Sequence, residues 1–148
     1  MKKIVIVDDK SPAKTTVAHG LRSAIEDITD GEYSAELLEG VIISDALADL
    51  VKVVQEMTKK DDIVVGLLFD LVDETRGVLD AGAILLDKVK ADPQFKVIPV
   101  VLYTTRHMEV SVADLRKRGA KTLVRRRISG GQGRRFAEDI LDAFEVPY

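Results

Sequence analysis

The sequence predicts an α/β protein built on a doubly wound, five-stranded parallel sheet, and three observations carry that expectation. Ile4-Val5-Ile6-Val7 and Val64-Val65-Gly66-Leu67-Leu68-Phe69 are short apolar runs of the kind that form strands buried on both faces, as in parallel sheets. Segments of helical periodicity alternate with such runs along the whole chain, as βα units require. Both runs stop at acids, Asp8-Asp9 in the first case and Asp70 in the second. In an open α/β sheet the carboxyl ends of the strands share one edge, where ligands bind.

Each element follows from local chemistry. The first strand is expected at about Lys3 to Val7. A helix follows from Pro12, a residue favoured in a first turn, with Ser11 as N-cap. Val17, Leu21, Ala24, Ile25 and Ile28 fall on one face of it. Asp30-Gly31 marks a turn, and Tyr33 to Leu38 forms the second strand. Ser44 or Asp45 caps a second helix with an apolar stripe of Leu47, Leu50, Val51, Val54 and Met57. The polar turn at 59–62 precedes a third strand, Ile63 to Phe69. A third helix at about Ala81 to Lys90 stops at Asp92-Pro93, because the residue before Pro is biased away from the helical region. The fourth strand is expected over Val97 to Tyr103. The fourth helix runs from about Val110 to Arg118 and ends at Gly119. A fifth strand over Ala120 to Arg125 and a fifth helix from about Arg134 to Phe144 complete five βα repeats, read as one domain over residues 1–148.

Composition removes several functional classes. The chain has 148 residues, enough to bury a core without staples, and no Cys, which excludes disulfide scaffolds, thiolate zinc sites and Cys nucleophiles. Two His, His19 and His107, are too few for a His-rich metal site. The apolar run after Met1-Lys2-Lys3 is too short for a signal peptide, and none approaches a membrane span, so a cytoplasmic protein without membrane contact is expected. A net charge of -3 does not suggest nucleic-acid binding.

The three acids meeting at one edge make an oxygen-rich site suited to a hard cation such as Mg²⁺. Four segments, IVIVDD, LLFDL, IPVVLYTT and RGAKTLVRR, stand at strand ends in an order and spacing that resemble a response-regulator receiver domain over essentially the whole chain. That resemblance implies the flavodoxin-like fold with strand order 2-1-3-4-5. It implies Asp70 as acceptor of a phosphoryl group from phosphohistidine on a sensor histidine kinase or phosphotransfer protein. Asp9 would ligate Mg²⁺ directly, Asp8 through water, and the Val72 carbonyl would add a ligand. Thr104 aligns with the hydroxyl residue that turns toward the phosphoryl oxygens. Such a domain is a phosphoacceptor rather than an enzyme. Its chemistry is mostly positioning and charge neutralisation.

The sequence departs from the family pattern around this set. Arg126 holds the position of the family's Lys and Arg127 that of the following Pro; Arg keeps the charge but is longer and planar. Leu123 replaces the aromatic of the fifth strand, and Thr105 a small residue. The loop after Asp70, through Val72-Asp73-Glu74-Thr75-Arg76, is several residues longer than usual. These departures support an alternative, a degenerate receiver that acts as a phosphorylation-independent interaction module. A third reading, an Asp-nucleophile phosphohydrolase, is disfavoured because two residues, not one, separate Asp70 from Asp73.

Arg125-Arg126-Arg127 and Arg134-Arg135 form the strongest charge cluster; one Arg in the place of the family's Lys, with the others solvated or paired with Glu138 and Asp139, is favoured over ligand binding, since no aromatics interleave for base stacking. The Gly-rich segment at 129–133 lacks the Gly-Lys-Ser/Thr ending of a phosphate loop. The chain ends at Tyr148, just after the fifth helix, so output is expected through a partner protein or a homodimer, on the surface of the fourth helix, fifth strand and fifth helix.

Overall fold

A computed structural model describes residues 1–11, 16–126 and 133–148. Five parallel strands, β1 (Lys2–Val7), β2 (Tyr33–Leu38), β3 (Ile63–Asp70), β4 (Val100–Thr104) and β5 (Leu123–Arg125), stand in the order β2-β1-β3-β4-β5. Among the described residues the helices between and after them are α1 (Thr16–Ile28), α2 (Leu47–Lys59), α3 (Ala81–Ala91), α4 (Val112–Lys117) and α5 (Gly133–Ala143). This is the flavodoxin-like topology expected from the sequence.

The alternation of a strand's side chains divides the core into two layers. Ile4, Ile6, Leu68, Val101 and Tyr103 point to one face, where Leu21 and Ile25 of α1 and Phe136, Ile140 and Leu141 of α5 cover them. Val5, Val7, Leu67, Phe69, Val100 and Leu102 point to the other, under Leu50 of α2, Leu85, Leu86 and Val89 of α3 and Leu115 of α4. Strands sandwiched in this way need no polar face, which is why β1 and β3 read as unbroken apolar runs. The chain leaves β1 toward β2 on one side and returns to β3 on the other. The switch in direction opens a crevice at the carboxyl ends of β1 and β3.

Several local expectations are corrected. β4 starts at Val100, because Pro99 has no N–H for the ladder and residues 93–97 form a hydrogen-bonded turn. Val97 is accordingly 84 % exposed, while Phe95 takes the buried place. Ser44 and Asp45 do not cap α2: they lie in a 3-10 turn, Ile43–Asp45, and α2 starts after Ala46 without a side-chain cap. Asp45 instead pairs with Lys88 of α3 at 3.1 Å. α4 is shorter than expected because Ser111 caps it, its hydroxyl accepting from the Asp114 N–H. β5 is three residues long, and Gly119 adopts φ +112 just past the end of α4. The expected start of α1 at Pro12 falls outside the described residues, as do Arg127 and the segment 129–132.

Candidate functional site

The crevice brings Asp8, Asp9 and Asp70 together: one carboxylate oxygen from each lies within 4.8 Å of the others. Asp8 and Asp9 follow β1 directly, and Asp70 ends β3. All three are buried. The sheet fixes the backbone of Asp8 and Asp70. Asp8 donates its N–H to the Leu38 carbonyl, and Asp70 stands in register with Tyr103 of β4.

The three carboxyls differ in their partners. Asp70 Oδ1 accepts the Val72 N–H at 3.2 Å, and among the described residues Oδ2 accepts no hydrogen bond. Burial, together with the charges of Asp8, Asp9 and Glu74, pushes the Asp70 carboxyl up to about 8 against the single opposing Val72 bond. Burial also raises Asp8, and Asp9 adds to it; the Lys10 N–H at 2.9 Å and the Tyr103 hydroxyl at 3.2 Å work in the opposite direction. At Asp9, burial is outweighed by the Thr75 hydroxyl and N–H, which donate to Oδ2 at 2.7 and 3.0 Å and hold the carboxyl below its usual range. Asp9 Oδ1 is buried with no hydrogen-bond partner among the described residues, in a residue only 4 % exposed. A buried carboxylate oxygen left without a donor is costly unless a cation or proton meets it.

The other residues singled out in the sequence take different places. Thr104, the last residue of β4, is buried, and its hydroxyl oxygen accepts the Arg106 N–H at 3.1 Å. Val72 is buried two residues past Asp70. Arg126 follows β5, donates its N–H to the Thr104 carbonyl, and is exposed. Among the described residues no hydrogen bond or ion pair joins its side chain to Asp70. Arg134 and Arg135 pair with Glu138 and Asp139, and Arg134 also meets Asp27 at 3.0 Å.

Two contributors escape sequence reasoning. The first is Tyr103. Burial and the nearby anions push its phenol well above the usual value, so it stays a donor to Asp8. Its ring meets Phe136 of α5 edge-on, with centroids 5.8 Å apart. The second is the long loop after β3. Asp73 and Val78 pair as a small antiparallel bridge, Gly77 turns the chain at φ +70, and the buried Asp73 carboxylate takes the Arg76 N–H and guanidinium at 3.1 Å. This hairpin carries Thr75 to Asp9. It also carries Glu74 to Lys10 at 2.6 Å and to Arg106 at 3.8 Å. The one available signal was the extra loop length.

Tyr103→Phe is expected to cost about 1–2 kcal/mol in urea denaturation at pH 7, the worth of a hydrogen bond to a buried carboxylate. A loss indistinguishable from zero would show that Asp8 does not depend on this donor.

No family model matches the chain, and no curated protein matches it. Solved structures of the same fold do. The Mn²⁺-bound response regulator Rcp1 is 21% identical with a TM-score of 0.63, over 96% of this chain and 93% of that one. The phosphorylated cyanobacterial phytochrome response regulator RcpA is 19% identical with a TM-score of 0.66, over 97% and 94%. The chemotaxis response regulator CheY4 of Vibrio cholerae is 17% identical with a TM-score of 0.58, over 97% and 98%. The chain therefore has the fold of response-regulator receiver domains.

Proposed function

We propose that the protein is a receiver of a two-component or phosphorelay system. It accepts a phosphoryl group from phosphohistidine of a sensor kinase or phosphotransfer protein on Asp70, with Mg²⁺, and signals through a partner protein. The observation that carries this reading is the convergence of three buried carboxylates with one oxygen, Asp9 Oδ1, that no donor meets among the described residues. Such an all-oxygen donor set suits a hard divalent cation. Asp9 and Asp70 would hold it, with the Val72 carbonyl and, through water, Asp8. When bound, the ion supplies positive charge against the carboxylates and the phosphoryl oxygens. The Mn²⁺-bound form of Rcp1 and the phosphorylated form of RcpA support the analogy.

In this reading the chain's own residues divide the work. The Val72 N–H fixes Asp70 Oδ1, which leaves Oδ2 as the attacking oxygen. The Thr104 oxygen already accepts the Arg106 N–H, so its own proton is available to a phosphoryl oxygen. Arg126, at the family's Lys position, stands at the rim. Among the described residues no helix is long and apolar enough to cross a membrane; we place the protein in the cytoplasm, where its kinase partner would act.

Incubation with acetyl phosphate and Mg²⁺ should add one phosphoryl group by intact-protein mass spectrometry, and neither Asp70→Asn nor wild type in excess EDTA should gain it. Equal labelling of wild type and Asp70→Asn would sink the acceptor assignment. A second reading, a phosphorylation-independent interaction module, is favoured by the exposed Arg126 and by the Thr75 bonds that already hold Asp9. Under that reading millimolar Mg²⁺ does not bind, which a calorimetric titration decides.

A further inference from the structure

The hairpin after β3 places one carboxylate between two cations at the mouth of the acid crevice. Glu74 Oε2 accepts from Lys10 Nζ at 2.6 Å, and Glu74 Oε1 lies 3.8 Å from Arg106 Nε. Both cations grow out of the crevice wall. The Lys10 N–H bonds Asp8 Oδ1, and the Arg106 N–H bonds the Thr104 hydroxyl oxygen. The next residue after Glu74, Thr75, is bound to Asp9. Glu74 is close enough to Asp70 for its charge to act on that carboxyl. Glu74 thus links the two cations to the crevice: its charge reaches Asp70, and Lys10 also feels the charges of Asp8 and Asp9.

The charges indicate what this arrangement does. Asp8, Asp9, Asp70 and Glu74 are acids, and among the described residues Lys10 and Arg106 are the bases paired with Glu74. The pairs of Lys10 and Arg106 with Glu74 are partly exposed, and exposed pairs of this kind are weak. A phosphoryl group carries more charge than a carboxylate and offers three acceptor oxygens, and Arg binds such an oxyanion through parallel bonds. It would out-compete the Glu74 carboxylate for the same two partners. Arg126, by contrast, makes no ion pair with Glu74 among the described residues and so takes no part in this arrangement.

We propose that Lys10 and Arg106 form the cationic clamp for a phosphoryl oxyanion on Asp70, and that Glu74 is a built-in placeholder anion that occupies the clamp until the phosphoryl group displaces it. This rests on the acceptor reading of Asp70. The clamp has one further consequence: Glu74 sets a threshold for loading the site, since every phosphoryl group must displace it.

The test is the rate constant for modification by acetyl phosphate with saturating Mg²⁺, read by intact mass. It is measured for wild type, Glu74→Gln, Arg106→Lys, Lys10→Gln/Arg106→Gln, and that double variant carrying Glu74→Gln. Glu74→Gln is expected to speed modification on the order of fivefold, the worth of a partly exposed ion pair. The Lys10→Gln/Arg106→Gln variant is expected to slow it roughly tenfold or more, the worth of charge-assisted bonds to phosphate. Arg106→Lys should keep much of the rate. In the double background Glu74→Gln should have no further effect, since the placeholder then has nothing to occupy. Rates equal to wild type in Glu74→Gln and in the double variant overturn the clamp, as does an undiminished Glu74→Gln effect without the two cations. If folded wild type takes up no phosphoryl group at all, the acceptor reading itself fails and the clamp falls with it.

Discussion

Replacing Asp70 with Asn is expected to stabilise the metal-free protein on the order of 4 kcal/mol at pH 7, from about 1.4 kcal/mol for each tenfold of proton affinity. The Asp70 carboxyl is pushed up to about 8 by burial first, then by Asp8, Asp9 and Glu74, from an ordinary value of 3.8. Below about pH 4 the group is protonated in both the folded and the unfolded chain and contributes no difference. As pH rises from there to about 8, the unfolded chain releases this proton and the folded chain keeps it, so folded stability falls across that window. Above about 8 the loss is complete. Asn keeps the shape and never ionises, so its stability curve should lack this slope. Urea denaturation in EDTA at pH 5, 7 and 8.5 measures it. Parallel curves for wild type and Asp70→Asn would mean that neither burial nor the neighbouring acids raise the Asp70 carboxyl in the folded protein.

Gly82→Ala carries the opposite sign. Gly82, near the start of α3, donates its N–H to the Leu71 carbonyl at 2.9 Å. A Cβ added there would lie 2.5 Å from the Asp70 carbonyl oxygen and 2.9 Å from Leu71 Cα. Both are backbone atoms of the segment that carries Asp70, so neither can swing aside as a flexible side chain would. Overpacking of this kind costs about 1–3 kcal/mol, and we expect the upper end, with Asp70 displaced as well. Urea denaturation gives the loss, and phosphoryl uptake from acetyl phosphate should fall with it. Gly20→Ala in α1, where an added Cβ meets nothing within 4 Å, is the control for the mutation type. A Gly82→Ala variant as stable as wild type would show that α3 docks on β3 less tightly than these distances state.

What could be read from the chain alone followed the range of the interactions. The apolar runs of β1 and β3 and the acids at their ends are local patterns, and a parallel sheet converts them into a shared edge without further information. Thr75 and Asp9 are 66 residues apart, and Tyr103 and Asp8 are 95 apart. No periodicity encodes such pairs. Tyr103 in particular reads as one more apolar residue of a buried strand, and only the register of β4 against β3 brings its hydroxyl to an acid. Local reasoning also failed where two signals competed. Val97 has a strand-forming side chain, but Pro99 decides where the ladder can begin. Ser44 and Asp45 are good helix caps by type, yet the 3-10 turn they occupy delivers the chain to α2 one residue later.

The placement of Tyr103 also makes the molecule its own optical probe. The chain has no Trp and three Tyr, so tyrosine dominates its near-ultraviolet spectrum. Tyr33 is at the start of β2, where Lys2 stacks over it, and Tyr148 is the exposed last residue. Tyr103 alone joins a carboxylate of the crevice to the aromatic packing of α5. A phenol held in so asymmetric a setting is expected to contribute to the near-ultraviolet circular dichroism of the folded protein. Events at the acids are thus expected to register in the handedness of tyrosine absorption, with no label attached.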